Sequence, residues 1–257
     1  MDEIIKKFAS DEVYYSDYSF VTNSQLGLIK RSPATYQYYR ENPSARPITK
    51  ALNFGRAFHM CMLEHDKYEK EVVVEPDVNK RTKAGKEEYQ KFLTMHDGMT
   101  ILTLDEHESL KGMRNKLTAS TEAMDLLSGG VAEQVNVWNN KDSNVPCKGK
   151  ADYWNKDKRI LVDIKTTQDS SPEGFRKSAY KYGYDRQASF YLDGFQADEF
   201  WFVVIEKSAP YNMAIYNCSE DFLLEGRSKY QELLNIYSYY FIQELFDPYD
   251  HVYTGTL

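Results

Sequence analysis

Asp152 and the run Asp163-Ile164-Lys165 are the residues of this 257-residue chain whose types and spacing best suit chemistry. Ala151-Asp152-Tyr153-Trp154 reads as a strand, residues 159–165 read as another, and the polar linker Asn155-Lys156-Asp157-Lys158 has hairpin size. Folding that hairpin brings the two carboxylates into one neighbourhood. Side chains alternate along a strand, so Asp163 and Lys165 share a face while Ile164 points into the core. Two carboxylates and an ammonium on one face call for a hard divalent cation, because Mg²⁺ takes carboxylate oxygens and water. Lys165 could then activate the attacking water, if metal and burial lower its pKa, or stabilise transition-state charge. Sequence leaves both roles open. The set suits phosphodiester hydrolysis. On its own, an Asp-x-Lys at a strand end is more often a solvated ion pair of small energetic weight, so the rest of the chain must decide.

Periodicity and caps outline the elements that would position this set. Residues 1–20 lack apolar periodicity and read as a loosely held segment. Ser24 is the expected N-cap of a helix ending at Lys30, and Ser32-Pro33 opens another over 34–41. Residues 51–63 carry apolar side chains at helical spacing, with Gly55 and His59 one turn apart. Gly55 would let another backbone or DNA come close. Residues 71–75 read as a strand and 80–91 as a basic loop and helix. One helix from Thr103 or Asp105 to Leu127 ends at Gly129-Gly130. Strands are expected at 133–139, 147–154 and 159–165, then helices at 172–180 and 185–195. Strands at 199–206 and 213–217 and a helix over 220–245 close the chain. This order predicts an α/β fold with a mixed central sheet flanked by helices, plus an N-terminal helical extension. A single domain is expected, with residues 1–130 as the helical part and 131–257 as the catalytic core.

Further motifs run in order along the chain. Thr22-Asn23-Ser24-Gln25-Leu26 through Arg31-Ser32-Pro33-Ala34-Thr35-Tyr36 opens the series, and Asn53-Phe54-Gly55-Arg56-Ala57-Phe58-His59 supplies a Gly-x-x-x-His. Gly130-Val131-Ala132-Glu133, Asp163-Ile164-Lys165-Thr166-Thr167 with Asp169, Gln187-Ala188-Ser189-Phe190-Tyr191 and the run from Val204 to Pro210 follow. On these residues the chain resembles the PD-(D/E)XK nuclease superfamily and, within it, the RecE-like branch of phage and prophage exonucleases. The resemblance implies a PD-(D/E)XK core in which Asp152 and Asp163 hold the metal, with the Ile164 carbonyl and His59 as further ligands. Glu133 would bind metal through water or cap the sheet edge. Lys165 would serve the attacking water or the transition state. Gln187 would hydrogen-bond the lysine or a phosphate, and Tyr191 would contact DNA or pack under the sheet. Arg56, Thr166, Thr167 and Arg186 would contact phosphates, or be ordinary surface residues.

The resemblance also implies Mg²⁺ or Mn²⁺ as cofactor and linear double-stranded DNA ends as substrate. The duplex would be degraded from the 5′ end, leaving a 3′ overhang for a RecT-like annealing partner. A ring-shaped homo-oligomer, a tetramer, is expected. The alternatives are the same chemistry with single-strand, flap or endonucleolytic specificity, and a non-catalytic DNA-binding scaffold. The intact Asp152, Asp163 and Lys165 set speaks against the scaffold. Two departures stand out: Ala151 where the family carries proline, and only three scattered cysteines, Cys61, Cys147 and Cys218. Some RecB-type relatives hold an iron–sulfur cluster on four cysteines, so none is expected here.

Composition is compatible with this reading. The net charge of −7 disfavours nucleic acid at first sight, but charge is unevenly spread. From Lys30 to Arg56 six basic residues face one acid, and from Lys141 to Arg186 eleven face seven. From Leu192 onward there are eleven acids and three bases. Local fields, not net charge, steer phosphates. No apolar run is long enough to span a membrane, and residues 1–7 lack the apolar run of a signal peptide. With three unclustered cysteines this points to a reducing cytoplasm, that of a bacterial host under the resemblance.

Overall fold

The computed structural model describes residues 2–47 and 49–252. Helices α1 (Asp2–Lys7), α2 (Asp11–Ser16), α3 (Asn23–Arg31), α4 (Pro33–Glu41), α5 (Lys50–Leu63) and α6 (His65–Glu71) come first. Strand β1 (Val72–Val74), helix α7 (Lys83–Met95), strand β2 (Thr100–Leu102) and helices α8 (Leu104–Thr118) and α9 (Thr121–Leu126) follow. Then come β3 (Val131–Asn139), β4 (Pro146–Asn155), β5 (Ile160–Thr167), α10 (Pro172–Tyr182), α11 (Tyr184–Phe195), β6 (Glu199–Glu206), β7 (Met213–Asn217) and α12 (Glu220–Tyr237). The main sheet has the order β3-β4-β5-β6-β7, with only the β5–β6 pair parallel. A small parallel pair, β1–β2, stands apart. The α/β architecture expected from the element order is the one observed.

Strand alternation builds two apolar layers. On one face Ala57 and Phe58 of α5 and Leu110 and Met113 of α8 pack on Val162, Ile164, Val203 and Ile205. On the other, Phe175 of α10 and Ala188 and Leu192 of α11 pack on Leu161, Phe200, Phe202 and Val204. Farther along, Leu26 and Ile29 of α3 meet Tyr230 and Leu234 of α12. Each Val, Leu, Ile, Phe or Met among them, fully buried, contributes about 1.5–3 kcal/mol. The two cores therefore fix the strands, and the polar groups at the β4–β5 junction are carried on them.

Several elements differ from the sequence expectation, each for a local reason. The N-terminal segment is not loose: Phe8 and Tyr14 are buried against Val135 and Val137 of β3. Lys148 of β4 is fully buried and donates to the Tyr14 and Asp17 carbonyls at 2.6 and 2.7 Å, which ties the segment to the sheet. Thr22, not Ser24, caps α3, in a reciprocal box with Gln25. Ser32 does cap α4, accepting from Thr35 N–H. The expected helix to Leu127 breaks after Thr118, because Ser120 caps a new one by accepting from Ala123 N–H. The final helix stops at Tyr237 rather than continuing to 245; a wider turn over Ser238–Ile242 brings Phe241 as well as Tyr237 onto Tyr36. The three-residue β2 is too short to carry a period that a sequence pattern would show.

Candidate active site

The site forms where β4 and β5 part. Their ladder pairs Asn155 with Ile160, Trp154 with Leu161 and Tyr153 with Val162, and goes no further. Beyond it the Ile164 N–H has no strand partner and is satisfied by Asp152, whose Oδ2 accepts it at 3.0 Å. Helix α5 crosses β5 here. His59 Nε2 lies 2.7 Å from the Ile164 carbonyl and Nδ1 lies 3.3 Å from Asp152 Oδ2. One turn earlier, a Cβ added at Gly55 would meet only Thr166 Oγ1, at 4.0 Å. No neighbouring backbone therefore demands a glycine there, and the space over it is open.

Glu133 enters from β3, opposite Asp152. Its backbone is left-handed, with φ 50°, in the middle of a strand. A non-glycine residue held there costs about 1–3 kcal/mol, and such strain gathers at functional sites. Among the described residues, His59, Glu133 and Asp152 each offer a ligand atom, and these atoms lie within 4.8 Å of one another. One imidazole and two carboxylates converging in this way are a fitting donor set for a divalent cation.

Asp163 and Lys165 occupy the α11 side of β5, on the face alternation assigns them. Gln187 Nε2 donates to Asp163 Oδ1 at 2.6 Å, and Lys165 Nζ sits 2.6 Å from Asp163 Oδ2. Gly183, with φ 71°, makes the tight turn that starts α11 and drops Tyr184 and Gln187 over these groups. The Tyr184 ring lies beneath Lys165, 4.7 Å from ring centroid to Nζ. Tyr191 crosses Gly149, where an added Cβ would come within 3.0 Å of the ring.

Burial and the Asp163 charge push the Asp152 carboxyl up to about 7, against the pull of His59 and Lys165. Burial alone would pull Lys165 down, but Asp163 and Asp152 outweigh it and hold the ammonium above the ordinary lysine range. The protein's own groups thus keep Lys165 charged, which suits charge stabilisation better than proton abstraction.

The structure reassigns some of the sequence candidates. Glu133, ambiguous in sequence, belongs to the converging triad. Asp163, read with Asp152 as a first-choice ligand, lies outside that cluster: Gln187 donates to its Oδ1 and Lys165 pairs with its buried Oδ2. The Ile164 carbonyl is taken up by His59. Arg186 is not a surface phosphate contact: it is 6% exposed and its Nε donates to Asn23 Oδ1 at 2.8 Å, locking α11 to α3. Thr167 is also buried, its hydroxyl spent on Asp169 in the turn after β5. In both cases a polar residue beside a motif turns inward to satisfy backbone or amide groups. Arg56 is exposed and pairs with Glu71 at 2.9 Å, and Thr166 is half-buried beside Gly55. Tyr184 and Lys150 were missed, although each shares a face with a chosen residue, three before Gln187 and two before Asp152. The cysteines lie apart, Cys61 and Cys147 in different cores and Cys218 at the edge of a third.

A cation entering this triad must displace the Asp152 proton below about pH 7. In its absence the folded chain holds that proton more tightly than the unfolded one. The group therefore stabilises the fold at low pH, and the contribution is lost as pH rises from 3.8 through about 7. Mn²⁺ is expected to bind more weakly at pH 6 than at pH 8. The rise in Tm on adding Mn²⁺ should be correspondingly smaller at the lower pH. Equal rises at both pH values would show that no raised Asp152 proton has to be displaced by the metal.

The mixed sheet with Asp152 at its parting strands and Asp163-x-Lys165 beside it has the form of a PD-(D/E)XK nuclease fold. The chain belongs to the family described as PDDEXK-like domain of unknown function (DUF3799), which matches residues 22–244. Among solved structures it is similar to a candidate exonuclease from Eubacterium rectale, with a TM-score of 0.64 and 12% identity over 98% of this chain and 94% of that one. A phage-related exonuclease from Haemophilus somnus 129PT aligns over 67% of this chain and 91% of its own, with 13% identity and a TM-score of 0.32. No curated protein matches the sequence. Among the described residues no helix is long and apolar enough to cross a membrane.

Proposed function

We propose that this protein is a divalent-metal-dependent DNA exonuclease that hydrolyses one strand of linear duplex DNA. The observation that carries the reading is the convergence of His59, Glu133 and Asp152 beside the Asp163–Lys165 pair. His59, Glu133 and Asp152 would hold Mg²⁺ or Mn²⁺, and the imidazole makes Mn²⁺ the better match. Bound there, the cation would polarise a phosphoryl oxygen and acidify water. Lys165, held charged, would stabilise the negative charge that builds on the phosphorus oxygens. Asp163 orients that ammonium and Gln187 orients Asp163, so the pair is set before substrate arrives. Tyr184 and Tyr191 would line the α11 side of the site, and Arg56 and Thr166 would meet the approaching backbone.

The RecE-like motifs favour 5′-to-3′ polarity, a 3′ single-stranded product handed to an annealing protein, a cytoplasmic location and a homo-oligomer, with a tetramer as the expected form. Linear, nicked and covalently closed duplexes of one sequence, digested side by side in Mn²⁺, test the end requirement. Linear DNA should disappear while closed circles persist, and light scattering should give a mass several times that of the chain. A monomer that opens closed circles would replace this reading with an endonuclease.

A further inference from the structure

Glu133 needs something to hold it. Its left-handed backbone is strained, and on one side it borders a cleft of about 430 Å³ into which the carboxylate could swing. Among the described residues its ion-pair partner is Lys150, whose Nζ lies 3.0 Å from Glu133 Oε2. Lys150 precedes Asp152 by two positions on β4, so strand alternation sets both on one face. The same Nζ lies 2.6 Å from Asp11 Oδ1, and the other Asp11 oxygen is 2.5 Å from Lys67. Asp11 is fixed in turn, because buried Lys148 clamps the carbonyls of Tyr14 and Asp17 just after it. The residues from Asp11 to Asp17 precede the region that matches the family, 22–244.

We infer that Asp11 and Lys150 are positioning residues that hold Glu133 toward the metal, so that the N-terminal segment completes the active site. The inference rests on the metal-site reading above. It makes a prediction of unusual sign. Coulomb's law alone says that removing the Lys150 charge beside a dication site should tighten metal binding. Loss of positioning should weaken it, because partners that orient ligands are typically worth about 10–100-fold in metal affinity.

The test is Mn²⁺ titration by calorimetry on the full chain without DNA, with circular dichroism to check folding. Lys150→Met should weaken binding about 10–100-fold, and Lys150→Arg should recover most of the loss. Asp11→Asn should weaken binding in the wild-type background and add nothing in Lys150→Met. Unchanged or tighter binding by folded Lys150→Met overturns the proposal. Should that variant not fold, unchanged binding by Asp11→Asn does the same. Two controls separate this inference from the reading beneath it. If Glu133→Gln binds like wild type while Asp152→Asn does not, the proposal falls and the metal site stands. If Asp152→Asn also binds like wild type, the metal site itself is wrong.

Discussion

Asp152→Asn is expected to reduce cleavage of linear duplex DNA to the level seen in chelator. The substitution separates charge from shape. Asparagine keeps an oxygen to accept the Ile164 N–H, so the parting of β4 and β5 is still satisfied. What it lacks is the negative charge that, with Glu133 and His59, would hold the cation. Loss of activity should therefore come with near-normal circular dichroism and a loss of Mn²⁺-dependent thermal stabilisation. Asp163→Asn should be as damaging by a different route, since it keeps the Gln187 acceptor but leaves Lys165 without its fixed counter-charge. Single-turnover assays with end-labelled DNA measure both. Near wild-type rates in either variant would remove that carboxylate from the mechanism.

Lys165→Met is expected to lower the single-turnover rate by about 10²–10⁴-fold while Mn²⁺ affinity changes little. Methionine preserves an unbranched stem against the Tyr184 ring and deletes only the charge. Because Lys165 touches Asp163 and stands outside the converging triad, its loss should fall on the chemical step. A rate within about tenfold of wild type would leave this lysine a structural counter-ion, worth little in catalysis.

The core of the site was legible because its determinants are local. Asp163 and Lys165 share a face by strand alternation, and Gly55, His59, Gln187 and Tyr191 follow helical spacing, so one sequence window defines each pair. What the sequence left open, as for Glu133, or hid depends on backbone geometry or distance along the chain. Glu133 reaches the triad through a left-handed residue that no pattern announces. Asp11 meets Lys150 across 139 positions, from a segment with no periodicity. Arg186 and Thr167 look like surface residues until their partners, Asn23 and the Asp169 backbone, are in view. The central strands were legible for a related reason, as β5 and β6 bury both faces and β4 largely alternates. The break after Thr118 and the turn after Tyr237 were not, since a cap and an aromatic cluster override an otherwise helical pattern.

In the proposed reading a divalent cation at His59, Glu133 and Asp152 drives hydrolysis of DNA from its ends. The most direct test strips the purified protein with chelator, mixes it in excess with end-labelled linear duplex, and then restores Mn²⁺. No product is expected before the metal is added, and steady shortening from the ends is expected afterwards. Digestion at the same rate in chelator, or intact DNA after Mn²⁺ is restored to folded protein, would contradict it.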